Sequence, residues 1–165
     1  MTKRTRQYIG LLCAVGAYYL IHEGAHFVYA LCADVFKQIN FMGLGIQIDI
    51  YADRLTDKQL GIFFLVGVIA TQASAYCTVA LTKHICRSPS KVFRACCYYV
   101  TIALLLLDPL YLSILCGFFG GGDMNGIAML IPEATARMGF GALLIFNAAV
   151  FWKAVLPQYQ ASFIE

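Results

Sequence analysis

The sequence predicts an all-α integral membrane protein of about four transmembrane helices, with a short β-hairpin-like insert and a glycine-broken or re-entrant segment. Three observations carry this prediction. Of the 165 residues, 61% are hydrophobic and only 13% charged, whereas a soluble domain carries about a quarter charged residues. Apolar runs of about twenty residues recur along the chain, the length a helix needs to cross about 30 Å of hydrocarbon. The charges gather in short flanks between those runs, so the net charge of +3 reads as orientation information rather than a face for nucleic acid. Disorder and collagen-like repeats are excluded by the same composition.

The first apolar run covers about residues 8–32. It follows Met-Thr-Lys-Arg-Thr-Arg, but it is too long for a signal-peptide core and contains His22, Glu23 and His26, so it is expected to remain as a span. Residues 38–50 alternate partly between apolar and polar, with Gly43 and Gly45, which predicts a short strand or hairpin at the membrane interface. The second run covers 60–81. The third begins after Arg94 and continues to Ile131 with only Asp108 and Asp123 as acids. That is too long for one span, and a break is expected in Gly117-Phe-Phe-Gly-Gly-Gly-Asp123, giving a span of 95–119. The last run covers 140–156 and is expected to stop at Pro157. Residues 1–165 read as a single membrane-embedded domain. Lys3, Arg4 and Arg6 precede the first run, and Lys83, Arg87, Lys91 and Arg94 lie between the second and third. The positive-inside rule puts both groups, and therefore both termini, in the cytoplasm of a multi-pass protein.

The seven cysteines, Cys13, Cys32, Cys77, Cys86, Cys96, Cys97 and Cys116, have no C-x-x-C spacing. They predict neither a disulfide framework nor a zinc knuckle, and are expected to be small apolar core residues.

Chemistry concentrates in the first run. His22-Glu23-Gly24-Ala25-His26 is an H-E-x-x-H sequence. On a helix, two histidines four residues apart project from one face and can bind one zinc ion, while the glutamate can take a proton from a metal-bound water. Ionisable groups in a span are costly unless partnered and usually mark function. A catalytic zinc takes three protein ligands and leaves a position for water, so a further ligand must come from elsewhere. His84 lies in a basic stretch and reads as an exposed loop residue. Asp108 and Asp123 remain: depth along a straight third helix favours Asp108, whereas the glycines around Asp123 permit re-entry.

An H-E-x-x-H in the first of a few spans, a hairpin-like insert and a distal Asp123-Met-Asn-Gly126 beside a broken helix together resemble the site-2 protease family of intramembrane zinc metallopeptidases. The resemblance spans about residues 15–130 in arrangement, with His22 to His26 as its specific part. It implies a Zn2+ ion held by His22, His26 and Asp123, with Glu23 catalytic, and it places Gln72, with Gly67 on the second helix, and Asn125 beside the substrate. The implied partners are a membrane protein or peptide substrate, the lipid bilayer, and a regulatory partner or second copy, with no nucleic acid. Two other classes fit the same residues: a non-catalytic metal-binding membrane protein, which would not need Glu23, and a carrier whose His, Glu and Asp relay ions or protons.

Overall fold

The computed structural model describes residues 1–42, 45–120 and 122–164. Gly43, expected at the hairpin turn, and Gly121, in the glycine-rich break, lie outside the described residues. Four helices are long and apolar enough to cross a membrane: Lys3–Cys32, Asp57–Cys86, Lys91–Phe119 and Glu133–Ile164. They fall on the four apolar runs but extend beyond them, because each helix starts at its cap and not at its first apolar residue. Thr2 caps α1 (Lys3–Cys32). Thr56 and Gln59 form a reciprocal capping box on α2 (Asp57–Cys86), and Ser90 caps α3 (Lys91–Leu110). In each case a side-chain oxygen satisfies a backbone N–H that the first helical turn leaves free.

α1 ends in a Schellman turn. Asp34 takes a left-handed φ of 54°, Val35 N–H bonds to Ala30 O at 2.9 Å, and Asp34 N–H bonds to Leu31 O at 3.2 Å. Ala30 and Val35 are buried together with Ile48 and Phe63, the apolar contact that usually accompanies this turn. It sends the chain into an antiparallel hairpin of β1 (Phe36–Met42) and β2 (Gly45–Ile50), with Ile39 opposite Ile48 and Asn40 opposite Gln47. The expected hairpin is therefore present. Lys37 and Asp49 pair across it at 2.9 Å, and that ammonium holds the Asp49 carboxyl below its usual range.

The third helix passes through Pro109, a wider turn at Tyr111–Leu115 and α4 (Cys116–Phe119). A proline has no N–H for the carbonyl four residues earlier, here Leu105 O. Asn147 of α6 (Glu133–Val150) supplies the missing donor, its Nδ2 bonding Leu105 O at 2.7 Å. Gln72 Nε2 bonds the neighbouring Leu104 O at 2.9 Å. The expected break falls at Gly120 and Gly122, with φ of 88° and 43°. The chain then forms α5 (Asp123–Ile127) before α6.

Pro157 does not end the last helix. A wide turn at Phe151–Val155 precedes it, and α7 (Leu156–Ile164) runs on through the proline. The reset in hydrogen-bond spacing lies just where the proline would remove a bond.

α1, α2 and α3 pack on one another and α6 packs mainly on α3. Leu104 and Leu105 meet Ala75 between α3 and α2, while Met124 and Ile127 of α5 meet Val68, Leu112 and Ala136. Leu12, Leu20, Phe118, Ile145 and Trp152 are each at least 70% exposed, which in a bundle this apolar is the surface that lipid covers. All seven cysteines are free, and only Cys116 is buried. The expectation that they fill the core is corrected: Cys13, Cys32 and Cys77 are exposed, on surface where small apolar side chains suit lipid as well as protein. His84 is exposed as expected, but it belongs to the last turn of α2 and not to a loop.

α5 is held against α2 by glycine. A Cβ on Gly126 would lie 1.8 Å from Phe64 Cδ2, and one on Gly61 would lie 2.5 Å from Leu130 Cγ and 3.0 Å from Gly126 O. Gly126→Ala is therefore expected to destabilise the protein by about 1–3 kcal/mol. Thermal unfolding in detergent should show this loss, with Phe64→Ala in the same chain restoring part of it. Full stability of Gly126→Ala alone would contradict the contact.

Candidate metal centre

His22 and His26 lie on one face of α1, both buried, at 6% and 3% exposure. Their Nε2 atoms are 3.2 Å apart. Asp123, at the start of α5, brings Oδ2 to 2.9 Å from His22 Nε2 and Oδ1 to 3.9 Å from His26 Nε2. One ligand atom from each of the three residues lies within 4.8 Å of the others, so the group could hold a metal ion. The edge of a tetrahedron with metal–nitrogen bonds of 2.0–2.1 Å is about 3.3 Å, and the three separations bracket it.

The surrounding hydrogen bonds decide what those atoms present. His26 Nδ1 is 2.8 Å from the Phe63 carbonyl, which only accepts, so Nδ1 carries the proton and Nε2 a lone pair. On the far side of His22, Asp108 Oδ1 lies 3.4 Å from Nδ1, which has no hydrogen-bond partner, whereas Nε2 is hydrogen-bonded to Asp123 Oδ2 at 2.9 Å. A carboxylate oxygen only accepts, so without a metal the His22 proton lies between Nε2 and Asp123. The His26 lone pair, His22 Nε2 and a carboxylate oxygen thus converge, and with the His22 proton displaced they form a donor set that could hold a metal ion.

Asp108 is the residue whose role the sequence left open. It is 2% exposed and accepts hydrogen bonds from the Tyr18 and Thr71 hydroxyls. The Thr71 hydroxyl is also 2.8 Å from Val68 O in the preceding turn of α2. Among the described residues no Lys or Arg pairs with Asp108. Besides the two hydroxyls, His22 is the polar group in reach of this buried carboxyl. Asp108 thus stands behind His22, the place from which carboxylates commonly orient metal-bound histidines.

Gly67 makes the room. A Cβ there would lie 2.5 Å from His26 Nε2 and 2.8 Å from His22 Nε2. Only a glycine lets α2 pass this close to the imidazoles.

Glu23, His26 and Asp123 border a cavity of about 40 Å³, lined also by Gln47 and Ile48 of β2 and by Phe63 and Phe64, with room for at least one water. The other residues read from the sequence are not gathered here in the same way. Gln72 bonds Leu104 O and accepts from Asn147 Nδ2 at 2.8 Å, so its amide ties α2 to α3 and α6. Asn125 is exposed, two residues beyond Asp123 in α5 and so turned away from its face. Tyr18, Thr71 and Phe63 escaped the sequence reading. Tyr18 is detectable in retrospect as the polar residue one turn before His22, and Thr71 as one turn beyond Gly67.

No protein-family model, curated protein or solved structure matches this chain.

Zinc binding by the purified protein should separate these roles. Asp123→Asn is expected to abolish stoichiometric zinc, and Asp108→Asn to retain it with affinity weakened about 10- to 100-fold, as read by competition with a chelator. Gly67→Ala should also lose zinc. Gly24→Ala, where a Cβ meets nothing within 4 Å, should keep it. Equal affinities for the parent and Asp108→Asn would contradict the orienting role.

Proposed function

We propose that the protein is an intramembrane zinc endopeptidase, similar to the site-2 proteases, that hydrolyses a peptide bond of a membrane-spanning or membrane-proximal substrate. The observation that supports this best is the convergence of His22, His26 and Asp123 beside a water-sized cavity bordered by Glu23. Zinc bound there would polarise a scissile carbonyl and lower the pKa of its water. Glu23 is the residue positioned to take that proton and return it to the leaving amine. A purely structural metal site has no use for such a base, which favours the enzyme over a non-catalytic metal protein.

His22 and His26 would hold the metal through Nε2, and Asp123 would add the negative charge that offsets part of the ion's own. Phe63, Phe64 and Ile48 line the cavity beside the exposed Gln47, where the hydrolytic water would enter. Substrate helices hide their peptide bonds and must become extended before cleavage. β2 lines the cavity through Gln47 and Ile48, so an extended substrate segment added to the hairpin edge would run past Glu23. By the positive-inside rule, the end of the bundle carrying the α1 N-terminus faces the cytoplasm, and the cluster lies toward the other end.

The test compares membranes from cells expressing the parent or Glu23→Gln, with new N-termini inside apolar segments identified by mass spectrometry. Glu23→Gln should keep its zinc and lose cleavage by at least about 10²-fold, the smaller end of the effect of a general base. Parent and variant with the same set of N-termini would contradict the peptidase reading. Zinc retained with no cleavage by either would leave a metal-binding protein.

A further inference from the structure

A second cavity lies away from the candidate metal centre. It measures about 670 Å³ and lies at the opposite end of the bundle, between the starts of α1 and α3 and the length of α7. Along α1, Lys3 and His22 are separated by about 28 Å at 1.5 Å per residue. The walls are apolar and aromatic, with Ala95, Tyr98, Tyr99, Leu156 and Phe163, and the rim carries Lys3 and Arg6 with Gln7 and Gln160. The aromatic side is built by contacts: Tyr98 meets Tyr159 edge-on at 5.1 Å between ring centroids, and Tyr159 stacks on Phe163 at 6.4 Å. A volume of this size is in the range of ligand sites and far above that of a packing defect.

Two observations point to a negatively charged occupant. The sequence segments at this end, residues 1–7, 83–94 and 156–165, hold seven of the chain's twelve Lys and Arg against one acid, Glu165. Behind the wall, Arg94 is 6% exposed, with its guanidinium 5.6 Å over the Phe163 ring. It bonds Cys86 O at 3.3 Å, but its Nε has no hydrogen-bond partner, and no carboxylate pairs with it among the described residues. A buried guanidinium without an anion is a costly arrangement. The Tyr159 hydroxyl, in the same wall, is likewise buried without a partner.

We propose that this cavity binds one anionic glycerophospholipid of the adjoining leaflet. Lys3 and Arg6 hold its phosphate at the rim, and the upper part of its acyl chains lies against Tyr98, Tyr99 and Phe163. A phosphate there lies in the field of Arg94 and the other cations of this end. The apolar wall selects a lipid over a free anion, and the cations select an anionic over a zwitterionic headgroup. Such a lipid joins α1, α3 and α7 at this end of the bundle.

The experiment uses the full chain, delipidated in detergent, with thermal unfolding and native mass spectrometry. Phosphatidylglycerol, phosphatidylcholine with the same acyl chains, and inorganic phosphate are titrated separately. Phosphatidylglycerol is expected to raise the unfolding temperature and to bind one per chain at least about tenfold more tightly than phosphatidylcholine, with no shift from phosphate. Lys3→Gln with Arg6→Gln should remove that preference while zinc content stays unchanged. Gln160→Glu, which adds a negative charge at the exposed rim, should do the same should the double variant fold poorly. Equal binding of the two lipids, a preference that survives both variants, or the full shift from inorganic phosphate alone would overturn the proposal.

Discussion

Two imidazole nitrogens and a carboxylate point at one another inside an apolar bundle, and most of the structure around them serves to keep them there. Without a metal, a proton bridges His22 Nε2 and Asp123, and a cation that took its place would be held strongly in a medium of low dielectric. Each donor is fixed from behind. The Phe63 carbonyl holds His26, Asp108 faces His22 across its other nitrogen, and α5 is pressed onto α2 so that Asp123 completes the group. The glycines follow from the same demand. Gly67 leaves space for the imidazoles, while Gly61 and Gly126 let α5 approach α2 closely enough to deliver the carboxylate.

The backbone obeys an equally strict condition, since a bundle in lipid must satisfy its polar groups internally. Pro109 would strand the Leu105 carbonyl, and Asn147, fully buried, answers it. Asn147 also accepts from the Tyr76 hydroxyl and donates to Gln72, so one side chain joins α2, α3 and α6. The kink has a consequence for the site as well. Asp108 precedes Pro109 on α3, and the residues that place its helix are those that place its carboxylate behind His22.

Much of this was legible in the sequence, and the limits have physical causes. Apolar run length marked the four helices because lipid imposes a length, but the helix ends are set by Thr2, Thr56 and Ser90, polar caps outside the runs. Pro157 misled because a wide turn can absorb a proline, and hydropathy carries no trace of such a turn. The histidine pair was readable from i,i+4 spacing alone. The choice between Asp108 and Asp123 was not, since it depends on the positive-φ glycines at 120 and 122 turning α5 back against α2. The resemblance put Gln72 beside the substrate, whereas its amide bonds Leu104 O and Asn147 through the packing of α3 and α6 against it, which no local pattern records.

The central claim is that His22, His26 and Asp123 form a zinc site, and X-ray absorption at the zinc edge of the purified, zinc-loaded protein tests it most directly. The account predicts one tightly held zinc with a first shell of nitrogen and oxygen at about 2.0–2.2 Å and two imidazole scattering patterns. A sulfur shell near about 2.3 Å, which would assign the metal to the cysteines, or a protein that retains no zinc after loading, would contradict it.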